Sequence, residues 1–188
     1  LGTLTIANNM LIGTLPAELD SLTLLEELSL QGNNLTGKIP SEFGRLTNIK
    51  SISLQENDLT GTIPTELGQW IALESFWASQ NILNGSLPSE TIGKWTNIKN
   101  FAFNNNGLTG TLPTELGQWT ALEMFFVLEN NFSGSLPSET IGQWTNIKNF
   151  AVSSNDLTGT LPTELGQWTG VEMFFASENY LTGSLPSE

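Results

Sequence analysis

The acidic side chains are the groups with which this chain could do chemistry. A glutamate stands two residues after every proline, and a second set of glutamates alternates with lysines along the chain. Paired carboxylates can act as general acid and base in hydrolysis, and clustered carboxylates can bind Ca²⁺. No pair has a distinctive spacing, however, and no D-x-D-x-D-G calcium loop occurs. The glutamates after the prolines, from Glu18 to Glu188, therefore indicate a solvated acidic face, with a weak Ca²⁺ stripe as the alternative.

Cysteine and histidine are both absent from the chain. Their absence removes disulfides, thiolate and imidazole metal sites, and every Ser-His-Asp or Cys-His arrangement. No phosphate-binding loop of the G-x-x-x-x-G-K type occurs either. We therefore predict that the chain is not an enzyme, holds no metal and uses no cofactor.

The net charge of -13 also narrows the range of partners. Phosphate backbones are bound mainly by lysine and arginine, so we expect no nucleic-acid partner. No apolar run approaches the ~20 residues of a membrane helix, so we expect no membrane insertion of this segment.

The elements that position these side chains repeat along the chain. Successive prolines, from Pro16 to Pro186, are separated by 24, 24, 24, 25, 24, 25 and 24 residues. An asparagine and, four residues later, a glycine keep the same frame in all eight units. A period of this length is typical of a solenoid, in which one unit cannot bury its apolar face alone.

The unit "LEELSLQGNNLTGKIPSEFGRLTN", residues 25–48, resembles the plant-type leucine-rich repeat with its L-T-G-x-I-P signature. The resemblance covers essentially the whole chain. It implies an α/β repeat fold, a right-handed solenoid with a concave parallel sheet and with loops, 3₁₀ turns and a second short strand towards the convex side. Similar proteins include extracellular halves of receptor-like kinases, inhibitors of cell-wall-degrading enzymes, an ice-binding member and algal proteins. Binding is what these proteins share.

The domain prediction is one solenoid segment over residues 1–188, with about eight repeats of 24–25 residues. Neither end shows a polar capping unit, so we interpret the segment as an interior piece of a longer protein. Two units hold one extra residue, Thr91 or Thr140, between proline and tryptophan. We expect this insertion on the loop side, where it leaves the strand register intact.

The repeated letters predict structural roles. The asparagine amide should satisfy backbone groups of a tight turn, and the glycine should allow a sharp turn. Five units have a tryptophan at the position where the early units have Leu22 or Leu46. We place these tryptophans in the core rather than on a sugar-stacking platform: Trp70, Trp95, Trp119, Trp144 and Trp168.

Strand positions between core residues should face outward and form columns across neighbouring units. One column alternates in sign: Glu26, Lys50, Glu74, Lys99, Glu123, Lys148 and Glu172. We expect each charge to lie near opposite charges on both sides. A structural ladder is the main interpretation, and a charge stripe that reads a ligand is the alternative.

The neighbouring columns hold large apolar residues in the later units: Trp77, Met124, Phe126, Leu128, Met173 and Phe175. We expect them as bars about 10 Å apart, separated by troughs with Ala102 and Ala151 at the bottom. An exposed apolar patch of this kind is typical of an interaction site. Three alternatives stay open: the large side chains could cover each other's flanks, the alternation could reflect a block duplication, or the register could slip by one residue.

Two further features bear on the surface. Threonine ranks could match an ice lattice, but they are mixed with serine and asparagine. Acceptor triplets for N-glycosylation occur at Asn34, Asn84 and Asn131, in the turn after a strand. With the family resemblance, they favour a secreted or cell-surface location, the alternatives being a lumenal location or a place in a large assembly.

The sequence thus predicts a non-catalytic recognition or adhesion module that binds a protein on its concave face. The apolar columns would supply the anchors and the charged ladder a polar rim. The alternatives are a structural scaffold or spacer that assembles with itself, and an ice-binding protein.

Overall fold

Two parallel sheets run along the chain in a computed structural model that describes residues 1–186. Within these residues, each coil of about 24 residues contributes one strand to each eight-stranded sheet. Sheet 1 contains β1 (Thr3–Thr5), β3 (Glu27–Ser29), β5 (Ser51–Ser53), β7 (Ser75–Trp77), β9 (Asn100–Ala102), β11 (Met124–Phe126), β13 (Asn149–Ala151) and β15 (Met173–Phe175). Sheet 2 contains β2 (Ile12–Thr14), β4 (Asn34–Lys38), β6 (Asp58–Gly61), β8 (Ile82–Gly85), β10 (Gly107–Gly110), β12 (Asn131–Ser135), β14 (Asp156–Thr160) and β16 (Tyr180–Thr182).

Short helices return the chain from sheet 2 to sheet 1. The 24-residue coils use 3₁₀ helices at Ala17–Ser21, Ser41–Arg45, Thr65–Gln69, Thr114–Gln118 and Thr163–Gln167. The two 25-residue coils instead form α-helical turns, α1 (Ser89–Ile92) and α2 (Ser138–Ile141). No helix among residues 1–186 is both long enough and apolar enough to cross a bilayer.

The extra threonine explains this difference between the coils. It widens the turn so that the Ile92 N–H reaches back four residues to the carbonyl of Pro88, 3.0 Å away. Its side chain is buried, and the Thr91 hydroxyl donates to the carbonyl of Thr65 in the preceding coil at 3.0 Å. Strand register is intact, because Trp77 pairs with Ala102 and Ala102 with Phe126.

The core lies between the two sheets and consists of columns of equivalent residues. From Phe76 onward, the central inward position of each sheet 1 strand is a phenylalanine, and the rings of Phe101, Phe125 and Phe150 stack with centroids 5.8 Å apart. The five predicted tryptophans are buried beside this column. The prediction that they lie in the core is confirmed.

Each of these five indoles also ties its coil to the preceding one. Trp70 donates from Nε1 to the carbonyl of Phe43 at 2.8 Å, and Trp95 donates to that of Leu67 at 2.9 Å. Tryptophan therefore fills the core without leaving its N–H unpaired.

The repeated asparagine forms hydrogen bonds with backbone groups of its own coil and of the preceding coil. Asn57 donates to the carbonyls of Leu54 in its own coil and Leu30 in the preceding coil, and its Oδ1 accepts from the Leu35 N–H at 3.0 Å. The glycine four residues later has a positive φ, 80° at Gly61, as a sharp turn requires.

Large apolar side chains are exposed in the first and last coils described, including Ile12 and Tyr180. The interpretation of residues 1–188 as an interior segment stays a prediction, and Glu188, the last glutamate of the proline-linked series, lies outside the described residues.

Candidate functional site

The outward face of sheet 1 carries the apolar columns that the sequence singles out. Strand alternation buries Phe125 and Val127 and turns their neighbours outward. We call the following outward residues the ridge: Trp77, Met124, Phe126, Leu128, Met173 and Phe175. All but Phe175 are half-buried, and Phe175 is 52% exposed. No slip of register occurs, because Asn130 and the strand pairs keep the frame.

The troughs expected between the bars are closed to water. Ala102 and Ala151 are only 3% and 1% exposed, although both point outward. Neighbouring strands lie about 4.8 Å apart, and each alanine stands between larger side chains, Trp77 and Phe126 in one case and Phe126 and Phe175 in the other. The large side chains cover the alanines, so the ridge forms a nearly continuous apolar surface.

The charged ladder forms pairs rather than an evenly spaced series. Each lysine contacts the glutamate of the preceding coil: Lys50 to Glu26 at 2.7 Å, Lys99 to Glu74 at 2.8 Å and Lys148 to Glu123 at 2.5 Å. The glutamate of the following coil is farther than 4.0 Å from each lysine, so the two glutamate neighbours of a lysine are not equivalent. Glu172 has no lysine or arginine within 4.0 Å among residues 1–186.

These ion pairs shift the pKa of the three lysines. The hydrogen bond that each lysine donates to its glutamate partner, followed by the charge of that glutamate, raises the pKa of the lysine above the ordinary 10.5. The glutamate of the following coil adds a smaller effect in the same direction. The three lysines therefore stay charged at neutral pH, and the ladder borders the ridge with polar groups.

Polar side chains lie on both sides of the central row that contains Trp77, Phe126 and Phe175. Asn100 donates to the Ser75 hydroxyl at 3.0 Å, and the Ser79 hydroxyl donates to Asn104 Oδ1. Asn149 lies between Met124 and Met173 in the strand register. The face therefore combines apolar anchors with amide and hydroxyl groups, a combination typical of recognition surfaces.

Sheet 2 carries the threonine ranks and the candidate glycosylation sites. The methyl groups of Thr62 and Thr111 lie over the glycines of the next coil, where a Cβ on Gly85 would be 2.8 Å from the Thr62 methyl. These methyl groups leave no room for a side chain at the glycines of the next coil. Asn34, Asn84 and Asn131 are exposed on β4, β8 and β12, so they are accessible and lie on a different sheet from the ridge.

Carboxylates do not gather into a metal site in the described part of the chain. Among residues 1–186, no group of three or more acidic side chains is close enough to hold a metal ion. The glutamates after the prolines from Glu18 to Glu164 lie one in each coil on the helical side, as the repeat requires.

Comparison with known proteins places the chain in a family. The Leucine Rich Repeat profile matches residues 24–46 and 48–70. The plant peptide hormone receptor RGFR1, solved in complex with RGF2, superposes with a TM-score of 0.95 and 31% identity over 98% of this chain and 29% of that chain. The ectodomain of the plant membrane receptor kinase GASSHO1/SCHENGEN3 from Arabidopsis thaliana, in complex with CASPARIAN STRIP INTEGRITY FACTOR 2, gives a TM-score of 0.91 and 34% identity over 97% and 22% of the two chains.

A plant ice-binding protein superposes with a TM-score of 0.76 and 23% identity over 100% of this chain and 67% of that chain, a likeness that shows the fold alone. Comparison with curated protein sequences gives no match. The chain spans less than a third of the length of the two receptor structures. The predicted right-handed solenoid is confirmed, and the chain belongs to the leucine-rich repeat proteins, with the 24-residue repeat of plant receptor-like ectodomains.

Proposed function

We propose that the chain is a non-catalytic recognition module that binds a protein or peptide partner on the outward face of sheet 1. One observation carries this proposal: three aromatic side chains, Trp77, Phe126 and Phe175, stand on that face with methionines beside two of them. Aromatic anchors supply most of the binding energy at protein interfaces, and methionine adapts to irregular partners.

The family supports a partner of this kind. RGFR1 is a plant peptide hormone receptor, and the GASSHO1/SCHENGEN3 ectodomain was solved in complex with CASPARIAN STRIP INTEGRITY FACTOR 2. A receptor-like ectodomain would lie outside the cell, and the exposed acceptor triplets at Asn34, Asn84 and Asn131 are compatible with glycans there. We therefore place the module in an extracellular or cell-surface location.

The test replaces the ridge aromatics. Peptides are first selected from a random displayed library on the unmodified chain, and their affinities are then measured on the triple variant Trp77→Ser, Phe126→Ser and Phe175→Ser. We expect binding to fall at least about tenfold, since each interfacial aromatic contributes about 1 kcal/mol or more. A circular dichroism spectrum and an unfolding midpoint confirm that the variant is folded.

The matched control removes three exposed apolar residues from sheet 2: Ile12→Ser, Ile82→Ser and Tyr180→Ser. This control should retain full binding. Peptides that bind the ridge variant undiminished, or that lose binding only on the control, contradict the proposal.

Self-association is the outcome that favours the alternative of a scaffold or spacer. Light scattering of the unmodified chain should give the mass of a monomer, 20.5 kDa. A mass that rises with concentration, and returns to the monomer value in the ridge variant, would mean that the ridge packs on a second copy instead.

A further inference from the structure

The ridge is bordered by carboxylates that have no cationic partner. Glu129 follows the row Met124, Phe126 and Leu128, and Glu178 occupies the equivalent place after the row that holds Phe175. Both glutamates are exposed and both have a positive φ, 55° and 56°. In the described part of the chain, neither is within 4.0 Å of a lysine or arginine.

The opposite border of the ridge offers little positive charge. Lys148 contacts Glu123, and Lys99 contacts Glu74, so these cations are already paired. Glu178 accepts a hydrogen bond from the Ser154 hydroxyl at 2.7 Å, which leaves its charge uncompensated. The apolar surface around Phe126 and Phe175 therefore lies between a border of paired charges and an acidic border formed by Glu129 and Glu178.

The distance between the bars determines which residues of a bound peptide can contact them. Phe126 and Phe175 are two strands apart in the register, which is about 9.6 Å at the usual strand spacing. A peptide in the extended polyproline II conformation has three residues per turn and advances ~3.1 Å per residue, so that residues three apart lie on one face. Side chains three positions apart in such a peptide therefore match successive bars.

From these charges and this spacing we propose that the ridge binds an extended cationic segment of a partner protein, with apolar residues at every third position and lysine or arginine between them. This inference rests on the proposed function and specifies its partner. The apolar residues contact Trp77, Phe126 and Phe175, and the cations lie against Glu129 and Glu178. The net charge of -13 attracts such a segment from a distance and repels acidic ones.

Three synthetic peptides of equal length test the inference on the purified chain by fluorescence anisotropy. Each consists of three repeats, of Phe-Lys-Lys, Phe-Ser-Ser or Phe-Glu-Glu. We expect the lysine peptide to bind at least about tenfold more tightly than the glutamate peptide, with an advantage that shrinks as salt is raised. The double variant Glu129→Gln and Glu178→Gln should weaken binding of the lysine peptide about fivefold and leave the serine peptide unaffected.

A matched control separates the site from general attraction to an acidic protein. The double variant Glu90→Gln and Glu139→Gln makes the same change in net charge on α1 and α2, where both residues are exposed. It should leave the affinity for the lysine peptide within about twofold of the unmodified chain, because exposed charges far from the ligand are screened.

The inference is overturned if the glutamate peptide binds as tightly as the lysine peptide, if the control weakens binding as much as the ridge-border variant, or if none of the three peptides binds. Its failure is distinguishable from failure of the proposed function. If the serine peptide binds the unmodified chain and fails to bind the Trp77, Phe126 and Phe175 variant, that result supports the ridge as a docking site even if charge proves irrelevant. The library selection tests the ridge without any assumption about charge.

Discussion

Trp119 donates a hydrogen bond of 2.8 Å from its indole Nε1 to the carbonyl oxygen of Ile92 in the preceding coil. Both groups are buried, so neither can find water as a replacement partner. The same bond recurs at the four other core tryptophans. In five coils, therefore, one side chain both packs in the core and joins its coil to the preceding one.

Replacing Trp119 tests how much the indole hydrogen bond contributes. In Trp119→Phe the ring stays apolar, but the Ile92 carbonyl loses one of its two donors and keeps only the Trp95 N–H, and a small cavity remains. We expect the free energy of unfolding to fall by about 2 kcal/mol, measured by urea denaturation. Trp77→Phe is the matched control, because Trp77 faces outward, and it should change stability by less than ~0.5 kcal/mol. Equal effects of the two substitutions would mean that the hydrogen bond contributes nothing.

Asn130 satisfies three backbone groups at once. Its amide donates to the carbonyls of Phe103 and Val127 at 2.9 and 3.1 Å, and its Oδ1 accepts from the Leu108 N–H at 3.0 Å. Asn130→Asp has nearly the same shape but no amide donors, and it turns a carboxylate towards two carbonyl oxygens. We expect a loss of about 3 kcal/mol in unfolding free energy. The adjacent exposed Asn131→Asp should be nearly neutral, and comparable losses in both variants would contradict the assigned role.

Gly85 is constrained both by its backbone and by its neighbour. Its φ is +78°, and an added Cβ would be 2.8 Å from the Thr62 methyl of the preceding coil. Gly85→Ala should therefore cost about 2 kcal/mol, seen as a lower urea midpoint. Gly170→Ala is the control, because a Cβ there meets nothing within 4 Å. If Gly85→Ala leaves the midpoint unchanged, the turn is less restricted than the structure indicates.

The charged ladder should lose its stabilising effect as pH rises through the raised pKa of its lysines. In the folded chain the glutamate partners raise the pKa of Lys50, Lys99 and Lys148 above 10.5. The stabilisation is then complete below the unfolded pKa and is lost as pH rises through the folded pKa. We expect the difference in thermal midpoint between the unmodified chain and a triple Lys→Gln variant to be constant from about pH 7 to 9.5 and to shrink above ~10.5. A difference in thermal midpoint that grows above about pH 10.5 would contradict the pairing of these lysines with glutamate.

Glycans, if added, should occupy sheet 2. Expression through a eukaryotic secretory pathway should yield a chain whose mass falls on treatment with an N-glycosidase, and Asn→Gln changes at Asn34, Asn84 and Asn131 should each remove one glycan. Because these residues lie on sheet 2, the glycosylated chain should bind ridge-selected peptides as well as the unmodified chain does. A mass unaffected by the glycosidase would count against the secretory location.

The repeat frame alone predicted which residues become neighbours. Parallel strands at a constant spacing place residues 24 or 25 positions apart side by side, so the columns of the ladder and the ridge could be read from the sequence. The inward and outward directions of Phe125 and Phe126 followed from strand alternation. The core location of Trp70 could be predicted because it replaces a leucine of the repeat.

Other features required the tertiary structure, because they depend on how side chains share space with those of the adjoining coils. Each lysine of the ladder has a glutamate on both sides, yet its ammonium group contacts the glutamate of the preceding coil. Ala102 is outward by alternation but covered by the larger side chains beside it. The indole hydrogen bonds join residues 27 or 28 positions apart, a distance at which no local pattern is visible. The sequence therefore determined the columns, because strand spacing and alternation are properties of the backbone. The tertiary structure decided the contacts within and between columns, because those contacts depend on the volume and direction of each side chain.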